Sequence, residues 1–126
     1  MTFSLQADDP SSVLDAAALA RLAELDPQGS AGLVRRVLAT YASALERSRQ
    51  ELLLVRQPVQ HEPLRHLAHT LKSSSASVGA LALSALCAQV EHMARSRQSG
   101  DVATLLDALQ AEMQRVAGAV QTMLHT

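Results

Sequence analysis

The chain has no tryptophan, one phenylalanine, one tyrosine, one cysteine and one lysine among its 126 residues. Each scarcity excludes something. With so few aromatics, a sequence that is 48% hydrophobic must build its core from Leu, Ala, Val and Met, which favours packed helices over a β-sandwich. The lone Cys87 cannot form an internal disulfide and reads as core packing in a reducing cytoplasm. No apolar run approaches the ~18 residues of a membrane span. The opening MTFSLQADDPSS has no charged stretch followed by an apolar one, so it does not read as a signal peptide. A formal net charge of −1 leaves no basic footprint for nucleic acid. Glycines at 29, 32, 79, 100 and 118 are too scattered for a nucleotide-binding loop.

What is present is a succession of amphipathic helical segments. Residues 1–11 read as a polar, acidic tail, and residues 12–126 as one domain large enough for a single core. Ser12-Val13-Leu14-Asp15 reads as a capping box, opening a short helix to about Leu25 with Leu14, Leu19, Leu22 and Leu25 apolar. After the break at Asp26-Pro27-Gln28-Gly29, Ser30 is placed to cap a long helix to about Arg56, with Leu33, Val37, Tyr41, Leu45, Leu52 and Val55 inward. Pro58 ends that region, and Pro63 suits the first turn of a third helix, where its missing N–H costs nothing. That helix should reach about Val78, with Gly79 supplying the positive φ of a tight structural turn. A fourth helix is expected over about Ala80–Gln98, with Leu83, Leu86, Val90 and Met93 or Ala94 on its stripe, and a fifth over about Val102–Leu124. Gly118, costly inside a helix, suggests close packing. Short connections between long helices make neighbours antiparallel. The expected fold is all-α: an up-down four-helix bundle with an additional short N-terminal helix as a lid.

The third helix carries the chemistry. At about 100° per residue, Leu64, Leu67, Leu71, Ser75 and Val78 share one stripe, and His69 lies roughly 140° round from Leu64, facing solvent. Arg65, His66, Lys72, Ser73 and Ala76 share its face and form the candidate docking surface. Lys72, the chain's one lysine, is three residues from His69, so the two side chains are neighbours. From Ser73 to Val78, five of six residues are poor helix formers, which points to a demand for smallness around the ring. An imidazole, with an ordinary pKa of about 6.5, is mostly neutral near pH 7 and keeps a lone pair on one nitrogen. With an adjacent ammonium to meet negative charge and a low rim, it can carry a phosphoryl group and present it to another protein.

The run HTLKSSSASVGALALSALCAQVEHMAR, from His69 to Arg95, resembles the histidine-containing phosphotransfer (HPt) domains of bacterial multistep phosphorelays. Those share His-x-Leu-Lys-Gly-Ser-Ser/Ala, then Gly-Ala, then Leu-Cys and a Glu or Gln before a terminal Arg. Ser73 stands where the family usually has glycine. The resemblance implies a phosphocarrier, not a self-sufficient enzyme, with His69 attacking through Nε2, Lys72 compensating charge and Glu91 holding the other ring nitrogen. It also implies response-regulator receiver domains and a hybrid sensor histidine kinase as partners. On that reading the chain is a cytoplasmic monomer with no cofactor of its own and no contact with nucleic acid or membrane, and Mg²⁺ belongs to the receiver.

Other readings compete. Glu62, His66 and His69 share a face and form a candidate metal site. A kinase dimerisation helix typically has an acidic residue straight after the histidine and a proline soon after, whereas Thr70 and Leu71 follow here. An adaptor bundle with a silent His69 is the remaining alternative. His61, His92 and His125 have no partner pattern and are read as solvated.

Overall fold

The computed structural model describes residues 13–29, 32–97 and 100–125. Among them are five helices: α1 Ala16–Ala23, α2 Leu33–Val55, α3 His61–Ser77, α4 Leu81–Ser96 and α5 Val102–Leu124. The four long ones close a ring in which α3 packs on α4, α4 on α5, α5 on α2 and α2 on α3, while α1 lies against α2. The expected helical bundle is observed. Its core is aliphatic, with Leu45, Leu52, Leu64, Leu83, Leu109 and Met113 among the side chains fully shielded from water. Cys87 is part of this core, and burial pushes its thiol up to about 12, which leaves it unreactive.

Several local expectations shift. Ser12 lies outside the described residues, and the cap of α1 is Asp15, whose carboxylate accepts from the Ala18 N–H at 3.0 Å. Because α1 stops at Ala23, Leu25 leaves the stripe and is 74% exposed. Ser30 is likewise outside the described residues. Gly32 is the N-cap of α2, and the carboxylate of Asp26 accepts from the Leu33 N–H at 3.2 Å. On α2 the core position falls to Leu38, while Leu33 and Val37 are half-buried at the edge facing α3. Helix α4 ends at Ser96, because Arg97 adopts a left-handed φ of 52°. Gly118 meets nothing within 4 Å of a Cβ position, so close packing does not explain it.

Gly79 is different. Its φ is +86°, its carbonyl accepts from the Asp15 N–H at 2.8 Å, and a Cβ there would come within 2.7 Å of that nitrogen. The α3–α4 turn therefore needs glycine twice, once for conformation and once to let the start of α1 dock on it.

Gly79→Ala is expected to lose about 2–4 kcal/mol, from left-handed strain plus overpacking against backbone. Gly118→Ala, in an open helix interior, is expected to gain about 0.5–1 kcal/mol. Urea unfolding of the two variants checks both signs.

Candidate functional site

The buried stripe of α3 rotates His69 outward. Leu64, Leu67, Leu71, Ser75 and Val78 are all buried, and the His69 side chain is 61% exposed. Ser75, polar but without contact with solvent, is satisfied by the Tyr41 hydroxyl of α2 at 2.7 Å. Burial raises the Tyr41 phenol to about 12, against the opposing effect of that hydrogen bond. The bond ties α2 to α3 midway along the face that sets the orientation of His69.

Across the α3–α4 seam, Glu91 is buried with its side chain only 4% exposed. Oε1 accepts from Lys72 Nζ at 2.7 Å, and Oε2 accepts from Arg95 at 2.8 Å and lies 2.9 Å from His69 Nδ1. The bond from Lys72 holds the Glu91 carboxyl down at about 2 against the opposing effect of burial, with the bond from His69 adding to it. Near neutral pH Glu91 is therefore ionised and can only accept, so His69 Nδ1 must be the donor. In the neutral ring the lone pair then belongs to Nε2, which has no hydrogen bond among the described residues. A rigid helix, an oriented tautomer and an outward nucleophilic nitrogen are the components of a surface nucleophile. Ser84 of α4 donates to the Lys72 carbonyl at 2.9 Å and fastens the two helices at this level.

His69, Lys72 and Glu91 are thus brought together, though the ammonium and the ring meet through the carboxylate they share. Half-buried Arg65 and exposed His66, Ser73 and Ala76 surround them on α3, as the helical angles required. Gly79 lies at the end of that helix. Glu62 is held by Arg65, Nε to Oε2 at 3.1 Å, and no group of three or more His, Cys, Asp or Glu side chains spaced for a metal occurs among the described residues. His61 approaches Arg97 at 3.5 Å, His92 is exposed, and His125 donates to the Gln121 carbonyl at 2.7 Å.

Three contacts escaped sequence reasoning. Arg95 was visible as the i+4 neighbour of Glu91, a spacing that pairs charges on a helix. Ser84 and the Tyr41–Ser75 pair left no signal, because their partners are on other helices. Beside the serine rim, an apolar groove of about 480 Å³ runs between α2 and α3, lined by Val37, Tyr41, Ala44, Ser74 and Val78 among others.

The sequence model of the Hpt domain matches residues 32–119. No curated protein matches by sequence. Among solved structures, the chain is similar to histidine-containing phosphotransfer protein B from Pseudomonas aeruginosa PAO1, with a TM-score of 0.78 and 25% identity over 90% of this chain and 95% of that one. It is also similar to a histidine-containing phosphotransfer protein from maize, with a TM-score of 0.72 and 26% identity over 91% of each chain. Relatives in a bacterium and a plant mean that the likeness does not by itself tie the chain to bacteria. No helix among the described residues is long and apolar enough to cross a membrane.

The depressed carboxyl of Glu91 carries a pH signature. A group whose folded pKa lies below its unfolded value contributes stability that is present above the unfolded pKa, about 4.5, and lost as pH falls through the folded one, about 2. Wild type minus Glu91→Gln isolates this contribution from other carboxylates. The difference in urea midpoint is expected to favour wild type at pH 7 and to shrink between about pH 4.5 and 2. A constant difference across that window contradicts the assignment.

Proposed function

The chain belongs to the Hpt domain family, whose members are histidine phosphotransfer proteins of phosphorelays, and from that premise we propose that His69 is its phosphoryl-accepting residue. The observation that carries this is the hydrogen bond from Nδ1 to Glu91 at 2.9 Å, which leaves the lone pair on the outward Nε2. The Nε2 lone pair attacks the phosphorus of a receiver's aspartyl phosphate, and the P–O bond breaks with its electron pair returning to the aspartate carboxylate. Nδ1 keeps its proton, so the phosphorylated ring is cationic and the Glu91 carboxylate beside it stabilises it. When a second receiver's carboxylate attacks the phosphorus, the P–N bond breaks with its pair returning to Nε2. The neutral imidazole is regenerated and no net proton has moved.

Lys72 compensates the negative charge of the group in transit. Its flexible stem and compact ammonium suit a charge that must follow a moving anion. The partners on this reading are response-regulator receiver domains and a hybrid sensor kinase, met by a monomer in the cytoplasm. The receiver supplies Mg²⁺ and most of the stabilisation of the transition state, and this chain needs no cofactor of its own. Arg65, His66, Ser73 and Ala76 form the docking face, and the small side chains let a receiver bring its aspartate into line with Nε2. The α2–α3 groove continues that face past Ser74, offering apolar contact at its margin.

His69→Gln is expected to abolish phosphoryl uptake from a phosphorylated receiver while leaving helicity by circular dichroism unchanged. Label arriving on His66 or His92 instead would sink the assignment.

Ser73→Leu is expected to block uptake from the receiver yet keep uptake from phosphoramidate, a donor that needs no docked surface. Equal loss of both reactions would place the defect in the ring or the fold.

A further inference from the structure

The Glu91 carboxylate is served by more cation than orientation of one imidazole requires. Lys72 holds Oε1 at 2.7 Å, while Arg95 holds Oε2 at 2.8 Å, the same oxygen that His69 Nδ1 approaches at 2.9 Å. The two cations differ in what they can do next. The phosphoryl group on Nε2 sits on the side of the ring away from the carboxylate, so an ammonium bonded to Oε1 cannot meet it without moving. Lys72 has the stem to swing, whereas Arg95, one helical turn from Glu91 on the same helix, bonds the other oxygen through one guanidinium nitrogen and can keep it when Lys72 turns away.

Resting on the carrier reading above, we infer that Arg95 is a positioning residue: it keeps Glu91 compensated while Lys72 is handed over from the carboxylate to the phosphoryl group. The need arises from timing. As Nε2 begins to bond to phosphorus, the ring has gained only part of its positive charge, and Lys72 is already turning toward the incoming oxygens. Arg95 is then the one full positive charge left on a carboxylate whose side chain is only 4% exposed. A buried charge left without a partner is costly, and in its absence the carboxylate would retain the ammonium. Without Arg95, Lys72 stays on Glu91 and the transferred group goes uncompensated. The carboxylate must therefore carry two full cations at rest in order to keep one during transfer.

The test is a cycle of single-turnover phosphorylation rates for wild type, Arg95→Gln, Glu91→Gln and the double variant, with a phosphorylated receiver and with phosphoramidate as donors. Arg95→Gln is expected to slow both reactions by about three- to thirtyfold. Arg95→Lys is expected to restore part of the rate. In the Glu91→Gln background, where a neutral amide needs no counter-charge, Arg95→Gln is expected to change the rate less than twofold. Because Lys72 is the one lysine in the chain, its ¹⁵Nζ resonance is unambiguous, and it is expected to shift on phosphorylation in wild type and to shift less in Arg95→Gln. A loss confined to the receiver would make Arg95 a docking residue and overturn the inference. So would an equal loss in the Glu91→Gln background, or a Lys72 signal that does not move. Wild type taking no phosphoryl group from either donor would overturn the carrier reading itself, an outcome distinct from these.

Discussion

At the seam of α3 and α4 a carboxylate sits almost out of reach of water, and its charge has to be met by the side chains around it. A lone buried carboxylate would cost several kcal/mol. Glu91 avoids that cost by accepting from Lys72, Arg95 and His69 together. This requirement constrains both helices. α3 must turn residues 69 and 72 toward the seam, and α4 must bring 91 and 95 to meet them. The bond that His69 gives to Glu91 also fixes which nitrogen of the ring is free, so packing and the tautomer are one arrangement.

The rest of the bundle holds that seam in register. The Gly79 turn brings α4 back along α3 over a single tight reversal, and the start of α1 closes on it through the Asp15 amide. Ser84 bonds the Lys72 carbonyl from α4, and Tyr41 bonds Ser75 from α2, so α3 is held on both flanks. The proposed nucleophile, on a helix so braced, has little freedom to drift. That matters for a reaction in which the attacking atom, phosphorus and leaving oxygen must lie nearly in line.

The serine-rich half of α3 does two things at once. Ser75 faces the core, where its small side chain and one hydrogen bond let α2 approach. Ser73 and Ser77 face out and leave the ground beside His69 low. The ring of His69 stands largely in solvent, its side chain 61% exposed. This geometry fits a family of histidine phosphotransfer proteins.

The helical character, the number of helices and the outward angle of His69 were legible in the sequence, because each depends on periodicity along a single helix. So were the proximity of His69 to Lys72, the small rim and the glycine at the α3–α4 turn, all local in the chain. The motif resemblance singled out Glu91. Neither periodicity nor motif revealed that Lys72 bonds the carboxylate, that Arg95 shares its other oxygen, or that Tyr41 reaches Ser75. Nor did they show that Leu38 takes the core place expected of Leu33 and Val37, that Asp26 serves the start of α2, or that Gly118 faces open space. Periodicity gives the angle of a residue about its own axis. Which angles of two helices face each other, and at what distance, depends on how the helices roll and slide when their cores interlock. The residues proposed to carry the chemistry were therefore legible in the sequence, while the shared carboxylate contact that couples them exists only once α3 and α4 have packed.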